Sequence, residues 1–402
     1  MTIEIRNPSD EELRAAMQAG HVAFGAEQKD DDYERERRLM PLDRFMTAYD
    51  DGRPVGTSGA YLFQLTVPGG ELAAAGVTWV GVVPSHRRRG IMSEFMRRQL
   101  TDCHERGEPL AVLFASESAI YGRFGYGIAA PGLSLHAERS RFAFRNDPGP
   151  TGAVRIVDRD EALARFPSVH EAVRRATPGM FARSETWWDQ NILVDPEHWR
   201  HGAGPKFYAA LELDGAVAGY AIYRFKDEWD DGMPRGELRV LEATAVSSGA
   251  TRELWRFLFG IDLVAKVQHW LHDPGSPLFL MVSDPRSLHL RLADALWLRL
   301  VEVESALRGR GYAADGSIVL ELRDDLCPWN AGRWRIGDAV GRTDEEPDLE
   351  LDAADLACAY LGAFDFHRLA AADRVRELRP GALERASLLF RSARVPYCPE
   401  VF

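Results

Sequence analysis

Cysteine is scarce. The chain of 402 residues has four, Cys103, Cys327, Cys358 and Cys398, scattered with no Cys-x-x-Cys pair. That spacing argues against a zinc site and a disulfide framework, and it fits a reducing compartment. Long apolar runs are missing too. No stretch approaches the roughly 18 residues that a membrane-spanning helix needs, and the opening Met1-Thr2-Ile3-Glu4-Ile5-Arg6 has no signal-peptide pattern. A cytoplasmic protein without a membrane partner is expected. Basic charge is outweighed: 49 Lys and Arg against 61 Asp and Glu leave a net charge of −12, which disfavours nucleic acid as the main partner. The same sign would draw a cationic amine towards the surface, although solubility explains it equally well. Histidines hardly cluster. His198 and His201 form a close pair in a polar loop where a structural or solvent role outweighs metal binding, so no metal is expected.

What is present is a globular composition, 46% hydrophobic and 27% charged, in a chain too long for one core. Two or three domains are expected. The most informative segment runs from Val80, Gly81 and Val82 through Arg87, Arg88, Arg89 and Gly90 to Ile91, Met92 and Ser93. It reads as a β-branched strand, a basic loop with one glycine, and the start of an amphipathic helix. The first helical amides have no partners and the macrodipole favours negative charge there, so this arrangement makes an anion cradle. The bland alternative is a surface basic turn before an ordinary helix. Met92, Met96, Leu100 and Cys103 form one apolar stripe on that helix, ended by Gly107. Downstream, a strand from Leu110 to Phe114 precedes Ser116-Glu117 and then Tyr121-Gly122-Arg123-Phe124-Gly125-Tyr126. On composition alone Tyr121 could be a core tyrosine with a satisfied hydroxyl.

Both motifs resemble those of GNAT-type N-acetyltransferases. The loop resembles Arg/Gln-x-x-Gly-x-Gly/Ala, with Met92 in the last slot, and the second motif resembles Tyr-x-Lys/Arg-x-Gly-Phe/Tyr. The resemblance implies acetyl-CoA as co-substrate, its pyrophosphate on residues 87–93, its pantetheine arm along Val80 and Val82, and Ser116 and Glu117 lining the other side. It makes Tyr121 the general acid and Tyr126 a packing aromatic.

Elsewhere, Pro68-Gly69-Gly70 marks a hairpin, with a strand over Gly76–Val83 following. The charge-dense Asp30–Arg38 stretch reads as a mobile helix or loop over the substrate side, and a plain solvated face is its bland alternative. Residues 146–152 are a linker by composition. Beyond it, Asp214-Gly215-Ala216-Val217-Ala218-Gly219 echoes Asp51-Gly52-Arg53-Pro54-Val55-Gly56, but the later strand–helix junction, Ala245 to Arg252, has lost the arginine cluster. From about Leu296 the pattern becomes an α+β tail resembling a sterol carrier protein domain, with residues 370–372 and Leu388-Leu389-Phe390 facing its sheet. An apolar helix face there can be core or a lipid pocket.

Over its full length the chain is similar to the Eis (enhanced intracellular survival) family. The implied fold class is α+β: tandem GNAT folds, the second degenerate, over 1–146 and 153–292, then a sterol carrier-like domain over 296–402. The implied activity is acetylation of primary amines, on aminoglycosides or lysine-type substrates, by direct transfer in a ternary complex. A lipid-binding protein with a vestigial CoA site is the alternative. Resemblance further makes the Phe402 carboxylate the proton acceptor and the protein a homo-oligomer, a hexamer. Glu27, Asp30 to Asp32, Trp79 and Glu400 are candidates for an acidic, aromatic substrate cleft.

Overall fold

The computed structural model describes residues 3–402; Met1 and Thr2, which open the first expected domain, lie outside the described residues. The compact units do not follow the sequential boundaries. One comprises the chain through Ala130, Ala295–Ala393 and Val401–Phe402; the other comprises Pro131–Asp294 and Arg394–Glu400.

The first unit begins with β1 (Glu4–Arg6) and α1 (Asp10–Ala23). Ser9 Oγ accepts from the Glu12 amide, and the Glu12 carboxylate accepts from the Ser9 amide, a capping box that satisfies two orphan donors at once. α2 (Asp30–Leu39) follows. It is not the plain solvated face its charge density suggests. Asp32, Tyr33 and Arg35 are buried, because Arg35 pairs with Asp32 at 2.7 Å and the two ions shield each other.

β2 (Phe45–Asp50), β3 (Arg53–Val67) and β4 (Gly70–Val82) form an antiparallel meander. The Asp51-Gly52 turn has φ of +49° and +74°, the backbone of a type I′ hairpin. The strand expected at Gly76–Val83 is the far half of β4, so the hairpin is longer than the sequence suggested. α3 (Ile91–Glu105) packs Met96, Leu100 and Cys103 into the core as its stripe requires, and Gly107 closes it at φ +69°. β5 (Leu110–Phe114) runs parallel to β4, and beyond it the strand Arg291–Leu300 pairs antiparallel from Leu296 opposite Phe114 to Leu300 opposite Leu110. Residues 296–300 therefore complete this sheet rather than open the third domain.

The same unit contains a five-stranded sheet in the order Gly341–Arg342, Gly332–Gly337, Ser317–Arg323, Leu349–Asp352, Val375–Glu377. Its strands bury Ile318, Leu320, Ile336, Leu349 and Leu351, and its helices bury Leu356, Tyr360, Phe366, Leu389 and Phe390. Residues 371, 372 and Leu388 are exposed instead of facing the sheet, because the helix Phe366–Ala371 turns Phe366 and Leu369 inward and ends before Ala372.

In the second unit the strands run in the order Gly127–Glu138 (through its residues 131–138), Val264–His272, Gly236–Ala245, Ala216–Lys226, Phe207–Leu213, Ala153–Val157. The echoed Asp214-Gly215 turn has φ of +51° and +79°, the same geometry as its counterpart. The helix Ser248–Gly260 then begins where the first unit has α3.

Candidate active site

β4 and β5 stay parallel for three residue pairs only, Ala74 with Leu110, Ala75 with Ala111 and Gly76 with Val112. β4 then runs on to Val82, half-buried, while β5 stops at Phe114. The outer part of β4, with Val80, Gly81 and Val82, keeps β3 on one side and, among the described residues, has no strand on the other. Its main-chain groups on that open side can pair with the amides of an extended ligand.

The loop after β4 carries the cradle. Arg87 folds back, its Nε 3.4 Å from the Val82 carbonyl and a terminal nitrogen 3.4 Å from that of Ala23. Arg88, at φ +62°, is exposed and has no partner among the described residues. Arg89 lies 3.6 Å from the buried Asp50, whose carboxylate also sits 3.0 Å from His86 Nε2. Gly90 starts α3 at φ +80° with no side-chain cap, and a Cβ there would meet nothing within 4 Å. The amides of Ile91, Met92 and Ser93 thus open onto free space, an anion site by geometry and dipole. The second unit differs at the matching helix start: Ser247 Oγ accepts from the Ala250 amide. There the end is sealed by its own chain. Met92 does not fill the cradle either. Its side chain packs against the buried cluster that includes Met96, Tyr121 and Tyr126, with Arg123 3.9 Å from its sulfur.

Across the splay, Ser116 and Glu117 form an exposed bend after β5. Tyr121 opens the one-turn helix Tyr121–Phe124, which Gly125 ends at φ +80°. The Tyr121 side chain is 6% exposed, yet its hydroxyl has no hydrogen-bond partner among the described residues. Burial, and then the nearby Glu117 carboxylate, push its phenol up to about 12. It therefore stays protonated and offers a donor. Tyr126, 6.0 Å away ring to ring, is buried packing, as expected.

Phe402 rests its ring 5.0 Å from that of Phe63 on β3. Phe63 in turn lies across Gly76, where a Cβ would stand 2.2 Å from its ring. Phe63 thus lies between the Phe402 ring and the point where the strand pair parts. Beside it, Tyr61 Oη donates to Glu36 Oε2 at 2.7 Å. Trp79, held at φ +56° in the β4 bulge, flanks both.

Glu27 is exposed and pairs with Lys29 at 2.7 Å. Asp30 pairs with Arg14 at 2.6 Å, and Asp31 is exposed. Glu400 belongs to the second unit, 2% exposed, with Arg183 Nε at 2.5 Å and Trp187 Nε1 at 3.2 Å. That carboxylate is an internal counter-ion, which corrects its expected place in a substrate cleft. Sequence reasoning missed Glu36, Tyr61, Phe63, Asp50 and His86. The i, i+3, i+4 spacing of Asp32, Arg35 and Glu36 was a readable sign of one shared helix face. Among the described residues, no group of three or more metal-ligating side chains could hold an ion, and no helix is long and apolar enough to cross a membrane.

Comparisons with known proteins agree with this architecture. Residues 4–129 match an acetyltransferase (GNAT) domain model, residues 179–300 a second one, and residues 303–399 a sterol carrier protein domain. An uncharacterized N-acetyltransferase of Streptomyces avermitilis is 42% identical, covering 95% of this chain and 94% of its own length. The N-acetyltransferase Eis of Mycobacterium tuberculosis is 35% identical over 89% of both. The crystal structure of Eis1 from Mycobacterium abscessus superposes with a TM-score of 0.86 at 34% identity, covering 99% of this chain and 100% of that one. The fold, the open helix start and these relatives converge: this chain is an acyltransferase belonging to the Eis family of GNAT N-acetyltransferases.

Proposed function

We propose that this protein transfers the acetyl group of acetyl-CoA to a primary amine of an aminoglycoside or a lysine-type acceptor, directly, within a ternary complex. The observation that carries the reading is the uncapped start of α3 beside Arg88, standing across the splayed β4–β5 pair from a protonated, unpartnered Tyr121. The residues present fit the donor. Arg87 to Arg89 and the amides of Ile91 to Ser93 suit its pyrophosphate, the open side of Val80 to Val82 suits an amide-bearing arm, and Ser116 and Glu117 border it. When bound, the donor supplies an activated thioester.

An alkylamine arrives as its ammonium, since its pKa lies well above 7. The Phe402 α-carboxylate takes the proton, directly or through water. Main-chain N–H groups of β4 beyond Gly76 are the donors that polarise a carbonyl laid along them. Tyr121 Oη gives its proton to the leaving sulfur, help of a kind worth about 10²–10⁴-fold. No cysteine fits a covalent relay: Cys103 is buried in the core cluster and burial pushes its thiol up, away from thiolate. The second GNAT unit serves as structure. A homo-oligomer accords with the exposed Trp229, Leu280 and Leu292, and light scattering after size exclusion tests the hexamer.

A thiol-release assay with acetyl-CoA across aminoglycosides, polyamines and lysine peptides tests the activity. Tyr121→Phe should lower turnover strongly while acetyl-CoA affinity holds; wild-type turnover in that variant removes the acid role. Residues appended after Phe402 should abolish thiol release where an N-terminal tag does not, and equal activity of the two forms takes Phe402 out of the mechanism.

A further inference from the structure

We infer that Arg299, paired with Asp324, is a positioning residue for the general acid: it is the floor beneath Gly125 that holds the Tyr121–Phe124 turn, and with it the Tyr121 hydroxyl, in place. The inference rests on the transferase reading above and adds to that site a residue from the strand Arg291–Leu300. Burial carries the first part. Arg299 is 0% exposed, as deep as its strand neighbours Leu298 and Leu300. A guanidinium is costly there unless it is paired. Its Nη2 lies 2.6 and 2.7 Å from the two carboxylate oxygens of Asp324, and Nη1 donates to the Leu300 carbonyl at 3.1 Å. The carboxylate also accepts from the Cys327 amide at 2.9 Å and from Asn330 Nδ2 at 3.2 Å. Asn330 ties the network back to the strand end, donating to the Val301 carbonyl at 3.0 Å and accepting from the Val303 amide at 3.1 Å. Such a pair contributes little stability beyond apolar side chains of like volume; a network this connected fixes a geometry.

Contact carries the second part. The nitrogen of Arg299 outside that network, Nε, has no hydrogen-bond partner among the described residues, and it is the atom that meets the turn. A Cβ on Gly125 would stand 2.7 Å from Nε, 2.8 Å from Cζ and 3.2 Å from Cδ. The guanidinium and its stem thus lie against Gly125, whose φ of +80° already favours glycine. Gly125 in turn closes the helix: its amide donates to the Gly122 carbonyl at 3.0 Å, and the Tyr126 amide to that of Tyr121 at 3.4 Å. The acid carries the third part. With its hydroxyl unpartnered among the described residues, Tyr121 is aimed by its backbone and by packing alone, its ring meeting Tyr126 edge-on at 6.0 Å. Burial pushes the Tyr126 phenol up and the Arg299 cation opposes it. Arg299 therefore borders both the end of the turn and the ring against which Tyr121 leans. A shift of that floor by about 1 Å is enough to misplace a proton donor.

The test uses the full-length protein with Arg299→Met, which fills the space without the charge, and Arg299→Lys, which keeps the cation. Asp324→Asn loosens the pair from its other side and serves if Arg299→Met does not fold. Thiol release gives kcat and calorimetry gives acetyl-CoA affinity. The fluorine spectrum of 3-fluorotyrosine-labelled protein reports Tyr121 directly, its line being the one that Tyr121→Phe removes. In Arg299→Met kcat should fall about tenfold or more while acetyl-CoA affinity holds, and the Tyr121 line should shift. Arg299→Lys and Asp324→Asn should show smaller losses in the same direction. In a Tyr121→Phe background the same substitutions should cost no further kcat, since no hydroxyl is left to aim. An equal loss in both backgrounds marks a general structural role and overturns the inference. So does a folded Arg299→Met or Asp324→Asn in which either kcat or the Tyr121 line keeps its wild-type value. Absence of thiol release with every amine in the wild type overturns the transferase reading instead, and the fluorine line still decides whether Arg299 places Tyr121.

Discussion

Gly76 has three duties at one position: it is the last residue of β4 paired with β5, it lies under Phe63, and through Phe63 it sets the seat of Phe402. A methyl group there would stand 2.2 and 2.5 Å from two ring carbons, so the ring must move. Gly76→Ala should cost about 1–3 kcal/mol in thermal unfolding, as overpacking does. If Phe402 acts as proposed, it should also lower kcat by about tenfold, since the seat of its ring is displaced. Unchanged turnover alongside the stability loss would separate Phe402 from Phe63. At this scale the chain announced some of its chemistry and hid the rest. The turn positions of Gly90 and Tyr121 were legible because each sits in a short pattern that fixes its own turn. Glu36 and Asp50 were not, because their partners Tyr61 and His86 are 25 and 36 residues further along. Glu400 misled for the same reason. It lies beside Phe402 in sequence, but Arg183, 217 residues earlier, holds it in the other unit.

The three arginines of the cradle loop occupy different environments, and that orders their effects. Arg87 is partly committed to the Val82 and Ala23 carbonyls and Arg89 to Asp50, whereas Arg88 has no internal partner. Arg88→Ala should therefore weaken acetyl-CoA binding about tenfold, the weight of one charge-assisted contact. It should flatten the salt dependence of binding and leave the melting temperature where it was. Arg87→Ala should show the smaller binding loss. Calorimetry at two ionic strengths checks both, and equal losses would show that internal contacts do not rank these side chains. Local periodicity made the α3 stripe and the paired Asp-Gly turns readable from sequence. It could not reveal that β4 continues unbroken through Gly76, since strand length is set by pairing with β3. Nor could it show that residues 371, 372 and 388 face solvent.

Across the whole molecule, the succession of two like domains and a third of another type was legible from the Asp-Gly echo and the change of pattern near Leu296. The non-sequential make-up of the two units was not, because it depends on which distant strands share a ladder, such as Arg291–Leu300 beside β5. The second unit also carries a titration signature. Burial pulls His170, His269 and His272 below the usual histidine value of 6.5, His272 to about 4. Each is neutral when folded and protonates on unfolding in mild acid, so the unfolded chain binds more protons. Their stabilising contribution is present above about 6.5 and is lost as pH falls towards 4. Melting followed by tryptophan emission should show a lower midpoint at about pH 5 than at about pH 7, since Trp188 contacts His170 and Trp255 contacts His272. A midpoint indifferent to pH over that interval would mean these imidazoles keep access to water. The contrast between Gly90 and Ser247 has a last consequence. One copy of the fold finishes its helix from within, whereas the other leaves the finishing to whatever anion comes to it. An anion bound there would complete the helix end, so its binding would add to the stability of that copy.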